Sequence, residues 1–133
     1  MSSRFLDWLH QAEADLRHAN NSLQAGDFEW SCFSAHQAAE KAIKATLMKL
    51  GSEAWGHTIT VLMGNLPDQV QKPSQVLIDN ARILDKYYIP IRYPNGFDSG
   101  APTDFYTESE AIQAIRLAEE ILEFCRDQIN RPG

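Results

Sequence analysis

The sequence predicts an all-α protein: an up-and-down helical bundle of four main helices plus one short helix, with a long ordered Pro/Tyr-rich loop before the last helix. Three observations carry this. Residues 30–50, WSCFSAHQAAEKAIKATLMKL, contain neither Gly nor Pro, so nothing there breaks a helix. Cys32, Ala35, Ala39, Ala42, Ile43, Leu47 and Leu50 recur at spacings of three and four, which places them on one helical stripe. Similar stripes occur near both ends of the chain, whereas the one β-branched stretch has no second strand to pair with. The 133 residues make one domain, residues 1–133, of a length that buries a core without a covalent staple.

The elements follow in order. Residues 3–25 form the first helix, with Phe5, Leu6, Leu9, Ala12, Leu16, Ala19 and Leu23 as its apolar stripe. Gly26 stops it and Asp27 caps the central helix, which ends at Gly51. So short a join makes the two an antiparallel hairpin. The central helix has apolar residues on more than one side, the mark of a helix with neighbours all round. Residues 51–56 form a loop carrying an exposed Trp55. Residues 57–66 hold Ile59, Leu62, Met63 and Leu66 at helical spacing and read as a short helix. Pro67 and Pro73 bound a loop, and Ser74 caps a fourth helix over 74–88 with Val76, Leu77, Ala81 and Leu84 inward. Residues 87–106 combine prolines, glycines and aromatics, which describes an ordered loop rather than a linker. Thr107 with Glu110 is a capping box that opens the last helix.

Charge and cysteine usage exclude several classes. A net charge of -6 and a pI near 5.1 disfavour a protein that coats nucleic acid by charge alone. Cys32 and Cys125 lie inside helical patterns and read as reduced, buried thiols. The N-terminus MSSRFLDWLHQ has no apolar signal region and no stretch reaches membrane-spanning length, so a soluble, cytoplasmic protein is expected. His10, His18, His36 and His57 form no HExxH pattern, and no Cys-x-x-Cys or Gly-rich phosphate loop occurs. Neither a metal nor a cofactor is expected.

Three places could carry chemistry. On the central helix, His36, Gln37, Glu40, Lys41 and Lys44 interrupt the alanines; Glu40 and Lys44 form an i, i+4 pair on a solvated face, or the set lines a groove for phosphate or a sister subunit. His57 opens the short helix, where a neutral ring can cap it and bond a neighbouring loop. Arg92, between tyrosines and prolines, can donate a planar fork to phosphate or pair internally with Asp85.

Ser34–Ala45 (SAHQAAEKAIKA), Gly56-His-Thr-Ile, Leu84–Asn95 (LDKYYIPIRYPN) and Tyr106 before the last helix together resemble the HEPN family, the higher eukaryote and prokaryote nucleotide-binding domains. The resemblance spans nearly the whole chain. It implies a helical bundle, a homodimer and a minimal nucleotidyltransferase as partner. It implies a nucleotide or RNA ligand, with Arg92, Tyr88, Tyr93, Asn95, Lys41, His36, Gln37 and His57 as the binding candidates. Many HEPN proteins are metal-independent ribonucleases of toxin–antitoxin or defence systems, marked by an Arg, a polar residue directly after it and a His shortly downstream. Here Arg92 is followed by Tyr93, Pro94, Asn95, Gly96, Phe97, Asp98 and Ser99, with no His. Arg4 and His10 satisfy a similar spacing only inside the first helix. A binding module, rather than an enzyme, is therefore the expected function, with a metal-independent endoribonuclease as the alternative.

Overall fold

A computed structural model describes residues 4–88 and 98–132. Its helices are α1 (Arg4–Ala25), α2 (Phe28–Lys49), α3 (Ile59–Met63), α4 (Gln75–Asp85) and α5 (Glu108–Asn130), with a 3-10 turn at Pro102–Asp104. The described residues contain no strand. The all-α bundle of four main helices and one short one is as the sequence predicts.

The α1–α2 join follows from Gly26. Its φ of +80° is left-handed backbone, which glycine adopts without steric cost. The turn is closed by Gly26 N–H donating to the Leu23 carbonyl (3.1 Å) and Asp27 N–H to that of Ser22 (2.9 Å). Asp27 holds the N-cap position but makes no side-chain cap, contrary to expectation. Its ψ of 72° departs from the extended backbone that Ser74 (164°) and Thr107 (160°) use to reach the first-turn amides.

Helix α2 is the centre, packed against α1 on one side and α5 on the other. Cys32, Ala35, Ala38, Ala39, Ala42, Ile43 and Leu47 are fully buried. The alanines let flanking backbones approach closely, as Ser31 Oγ shows by donating to the Ala19 carbonyl across the hairpin (2.8 Å). Further links are Lys41–Asp15 (2.5 Å), Arg126–Glu13 (3.0 Å) and Asn80 to Glu120 (2.9 Å).

Some boundaries and faces differ from expectation. The short helix covers only Ile59–Met63 although Leu66 is also buried. Helix α4 stops at Asp85 rather than running to 88: the Lys86 and Tyr87 N–H groups donate to carbonyls three residues back, at 3.2 and 3.0 Å, and the Tyr87 ring meets Tyr106 edge-to-face at 5.9 Å. Leu6 and Val76 are exposed, not inward. Each lies in a first turn, and Val76 sits about 100° round the helix from the inward-packed Leu77. Trp55 is exposed, as expected.

In the loop before α5, Pro102 is buried and Asp104 accepts from the Ala101 N–H (2.9 Å). Gly100, with φ +80°, lies so close to Phe105 that a Cβ would stand 3.0 Å from its ring. The Thr107–Glu110 capping box forms in both directions, with Glu110 N–H to Thr107 Oγ1 at 3.1 Å and Thr107 N–H to Glu110 Oε1 at 3.2 Å. Replacing Thr107 by Ala should therefore cost about 1 kcal/mol. Calorimetry should show the unfolding midpoint lowered by about 3 °C for a domain of this size.

Both cysteines are free and buried, and burial pushes each thiol up to about 12. Since the thiolate is the reactive form, neither should react with a thiol reagent in the native protein at about pH 8, and both should react once denaturant is added. Colorimetric thiol counting before and after unfolding reads this directly.

Candidate functional site

His36, Glu40 and Lys44 follow one another at i, i+4 along α2, so they lie on one ridge. The Glu40–Lys44 pair forms as expected, at 2.8 Å, but not on a solvated face: the two side chains are only 4% and 10% exposed. Trp8 of α1 covers Lys44, whose ammonium stands 5.6 Å from the ring centroid. The loop at His57 closes over Glu40, with His57 Nδ1 donating to Glu40 Oε2 at 3.0 Å. One carboxylate oxygen thus takes both partners. The other, Oε1, is buried with no hydrogen-bond partner among the described residues.

His36 is fully buried beneath this pair. Its Nε2 lies 3.1 Å from the His57 carbonyl, which can only accept, so Nε2 carries a proton. Its Nδ1 meets the Gln37 side-chain amide at 3.0 Å. Burial pushes the His36 pKa below the ordinary histidine value, against the opposing pull of Glu40, the Gln37 and His57 hydrogen bonds, and Asp85. The ring is therefore neutral near pH 7 and serves to bind the 57 loop to α2. Both ring nitrogens are occupied by these two contacts.

The N-terminus of α3 is capped from α4, not by His57. Asp85 accepts from Ile59 N–H (2.7 Å), Thr60 N–H (3.1 Å) and Thr60 Oγ1 (2.7 Å). A carboxylate opposite the positive end of a helix is favourable, which an imidazolium would not be. Relieved of capping, the His57 ring turns back to Glu40. It remains 56% exposed, and its Nε2 has no partner among the described residues.

Tyr88 lies over this network. Its ring stacks on His57 at 4.8 Å and 14°, and approaches His36 at 5.3 Å and Phe33 at 6.4 Å. Trp30 meets Phe33 edge-on at 5.9 Å, extending the row of rings along α2. The structure thus brings His36, Gln37, His57 and Tyr88 together. Lys41 stands apart. It is held by Asp15 in a neighbouring groove of about 260 Å³, lined also by His18, Trp30, Phe33 and Gln37. Arg92, Tyr93 and Asn95 lie outside the described residues.

Glu40 and Asp85 are not among the sequence's binding candidates, yet they fix the geometry. The i, i+4 spacing of Glu40 from His36 and Lys44 is a readable signal for the first. No local pattern announces that Asp85 caps a helix 25 residues earlier in the chain.

Residues 5–128 match the model of the HEPN domain family. The chain belongs to that family. Among solved structures, this HEPN protein is similar to TT1696 from Thermus thermophilus, with 46% identity, a TM-score of 0.92, and coverage of 96% of this chain and 99% of that one. It is also similar to ST0689, an archaeal HEPN homologue, at 38% identity and TM-score 0.81, covering 98% and 100% of the two chains. A candidate toxin of Methanocaldococcus jannaschii is 26% identical over 128 residues, which is 90% of this chain and 84% of that protein.

The sign of one pH effect follows from His36. A folded pKa below the unfolded value means that the unfolded ring protonates first as pH falls, so unfolding takes up a proton. Stability should therefore fall as pH drops below about 6.5, by at most about 1.4 kcal/mol per pH unit, until the folded ring also protonates. Denaturant titrations at stepped pH should show this slope, and His36→Gln should remove it.

Proposed function

We propose that this HEPN protein is a nucleotide-binding module whose ligand sits against the Tyr88–His57 stack. The observation that carries the reading is that stack, in which two rings are held 4.8 Å apart on a buried Glu40–Lys44 pair, at the chain position where the segment containing Arg92 begins. A pre-arranged aromatic pair loses little freedom when a base packs on it, and stacking tolerates any base. In this reading Arg92 takes the phosphate as a planar fork, and Tyr93 and Asn95 are further candidate contacts. Lys41 contributes only if a phosphate displaces Asp15. The family resemblance supports a homodimer and a nucleotidyltransferase partner, and the acidic surplus suits a partner with a basic face.

The test is thermal unfolding against a nucleotide panel. A bound nucleotide at about a hundred times its Kd adds about 2.7 kcal/mol and raises the midpoint by several degrees. Arg92→Ala should abolish the shift with little change in the unliganded midpoint, and Tyr88→Ala should weaken binding. An Arg92→Ala protein that is itself much less stable would instead place that guanidinium in an internal ion pair. The similarity to a candidate toxin favours a second reading, metal-independent cleavage of RNA, which the residues after Arg92 do not by themselves supply.

A further inference from the structure

We infer that His57 is a second phosphate contact of the proposed nucleotide site, and that its ring takes up one proton as a phosphate-bearing ligand binds. The inference rests on that site and deepens it. The ligand class becomes the phosphorylated nucleotide as against the bare nucleoside, and the strength of binding is set by pH.

The placement of the ring carries it. Glu40 Oε2 accepts from His57 Nδ1 at 3.0 Å, so the neutral ring keeps its hydrogen on Nδ1 and presents a bare lone pair at Nε2. That edge is open: the side chain is more than half exposed, and Nε2 has no partner among the described residues. A phosphate oxygen can only accept, so the lone pair of a neutral Nε2 repels it. One added proton turns Nε2 into a charged donor, and charge-assisted hydrogen bonds to phosphate are among the strong ones. The ring need not rotate, because Nδ1 keeps its bond to Glu40 in both states.

The groups around the ring suit the charged form. Glu40 lies directly behind it, almost wholly buried, and its second oxygen has no hydrogen-bond partner among the described residues, so its charge is incompletely shared. Tyr88 stacks on the ring at 4.8 Å and 14°, and the face of a tyrosine attracts a cation. Asp85 from α4 holds the α3 N-terminus, whose positive end would otherwise oppose an imidazolium. Lys44 acts in the opposite sense, since its ammonium shares Glu40 Oε2 at 2.8 Å. His36, beneath the loop, is neutral near pH 7 and adds no charge. With Glu40 and Lys44 opposed on one oxygen, the phosphate supplies the charge that tips the ring to its protonated form. The sign follows. The bound state holds more protons than the free state, so affinity rises as pH falls, by at most about tenfold per pH unit for one proton, and levels off where the free ring is itself charged.

The experiment is calorimetric titration of the full chain from about pH 8.5 down to about pH 6, across the range in which an imidazole changes charge. Two ligands are compared: adenosine, and the methyl ester of adenosine 5′-phosphate, a phosphodiester whose single charge is constant over that range. The expected result is tighter binding of the ester than of adenosine, with ester affinity rising as pH falls and adenosine affinity unchanged. His57→Gln should remove the slope and leave the ester bound as weakly at every pH as the wild type binds it at the alkaline end. The ¹⁵N shifts of the His57 ring should move toward those of an imidazolium when the ester is added at about pH 8, and stay put when adenosine is added. A flat profile for the ester, equal slopes for the two ligands, or a slope that survives in His57→Gln overturns the proton-coupled contact and leaves the nucleotide site standing. Failure of both ligands to bind at any pH overturns the site and the contact together. Should His57→Gln fail to fold, the ring shifts of the wild type decide, and a ring unchanged by the ester overturns the contact.

Discussion

A carboxylate in the interior of an alanine-rich helix is the constraint on which the site depends. Glu40 is almost completely buried, and an ionised carboxylate taken out of water is tolerated only with partners close by. Lys44 supplies one from the next turn of the same helix, and His57 supplies the other from a separate loop. Satisfying the charge therefore drags a piece of distant chain onto α2. Once that loop is in place its carbonyl reaches His36, α3 starts directly after it, and Asp85 can cap α3 from α4. Three separate stretches of sequence, α2, residues 57–60 and the end of α4, are thus tied to one carboxylate. Buried ion pairs of this kind contribute little net stability against an apolar substitute, yet are very sensitive to loss of one member. What they do well is fix one arrangement among many, which is what a ligand site needs.

The bundle is legible in the sequence because its signals are local. Gly26, the 3.6-residue stripes and the Thr107–Glu110 box each act within a few residues, so the order and nature of the helices can be read directly. Errors arise where a side chain's fate depends on distant neighbours. Lys44 and Glu40 look like an ordinary surface pair until Trp8 and His57 cover them. Val76 and Leu6 fit an apolar stripe but lie in first turns and stay exposed. Asp27 has the right identity for a cap and the wrong backbone angle.

The site is legible in its members but not in its roles. His36, Gln37, His57 and Tyr88 all stand out in the sequence, and the fold brings them together. Their division of labour comes from burial. Two histidines that are equivalent on paper become an inner ring with both nitrogens occupied and an outer ring with one open. The pattern of Arg and downstream His that marks ribonucleases of this family is absent after Arg92, but a histidine arrives beside Tyr88 from earlier in the chain.

Tyr87 and Tyr106 meet at the base of the loop that separates α4 from α5. Their contact ties the C-terminal end of α4 to the start of α5 like a clasp. Chain inserted or removed beyond a clasp alters only the entropy of closing the ring, and doubling a loop's length costs only about 0.6 kcal/mol. A change in the length of chain between the two tyrosines therefore costs the helices on either side little.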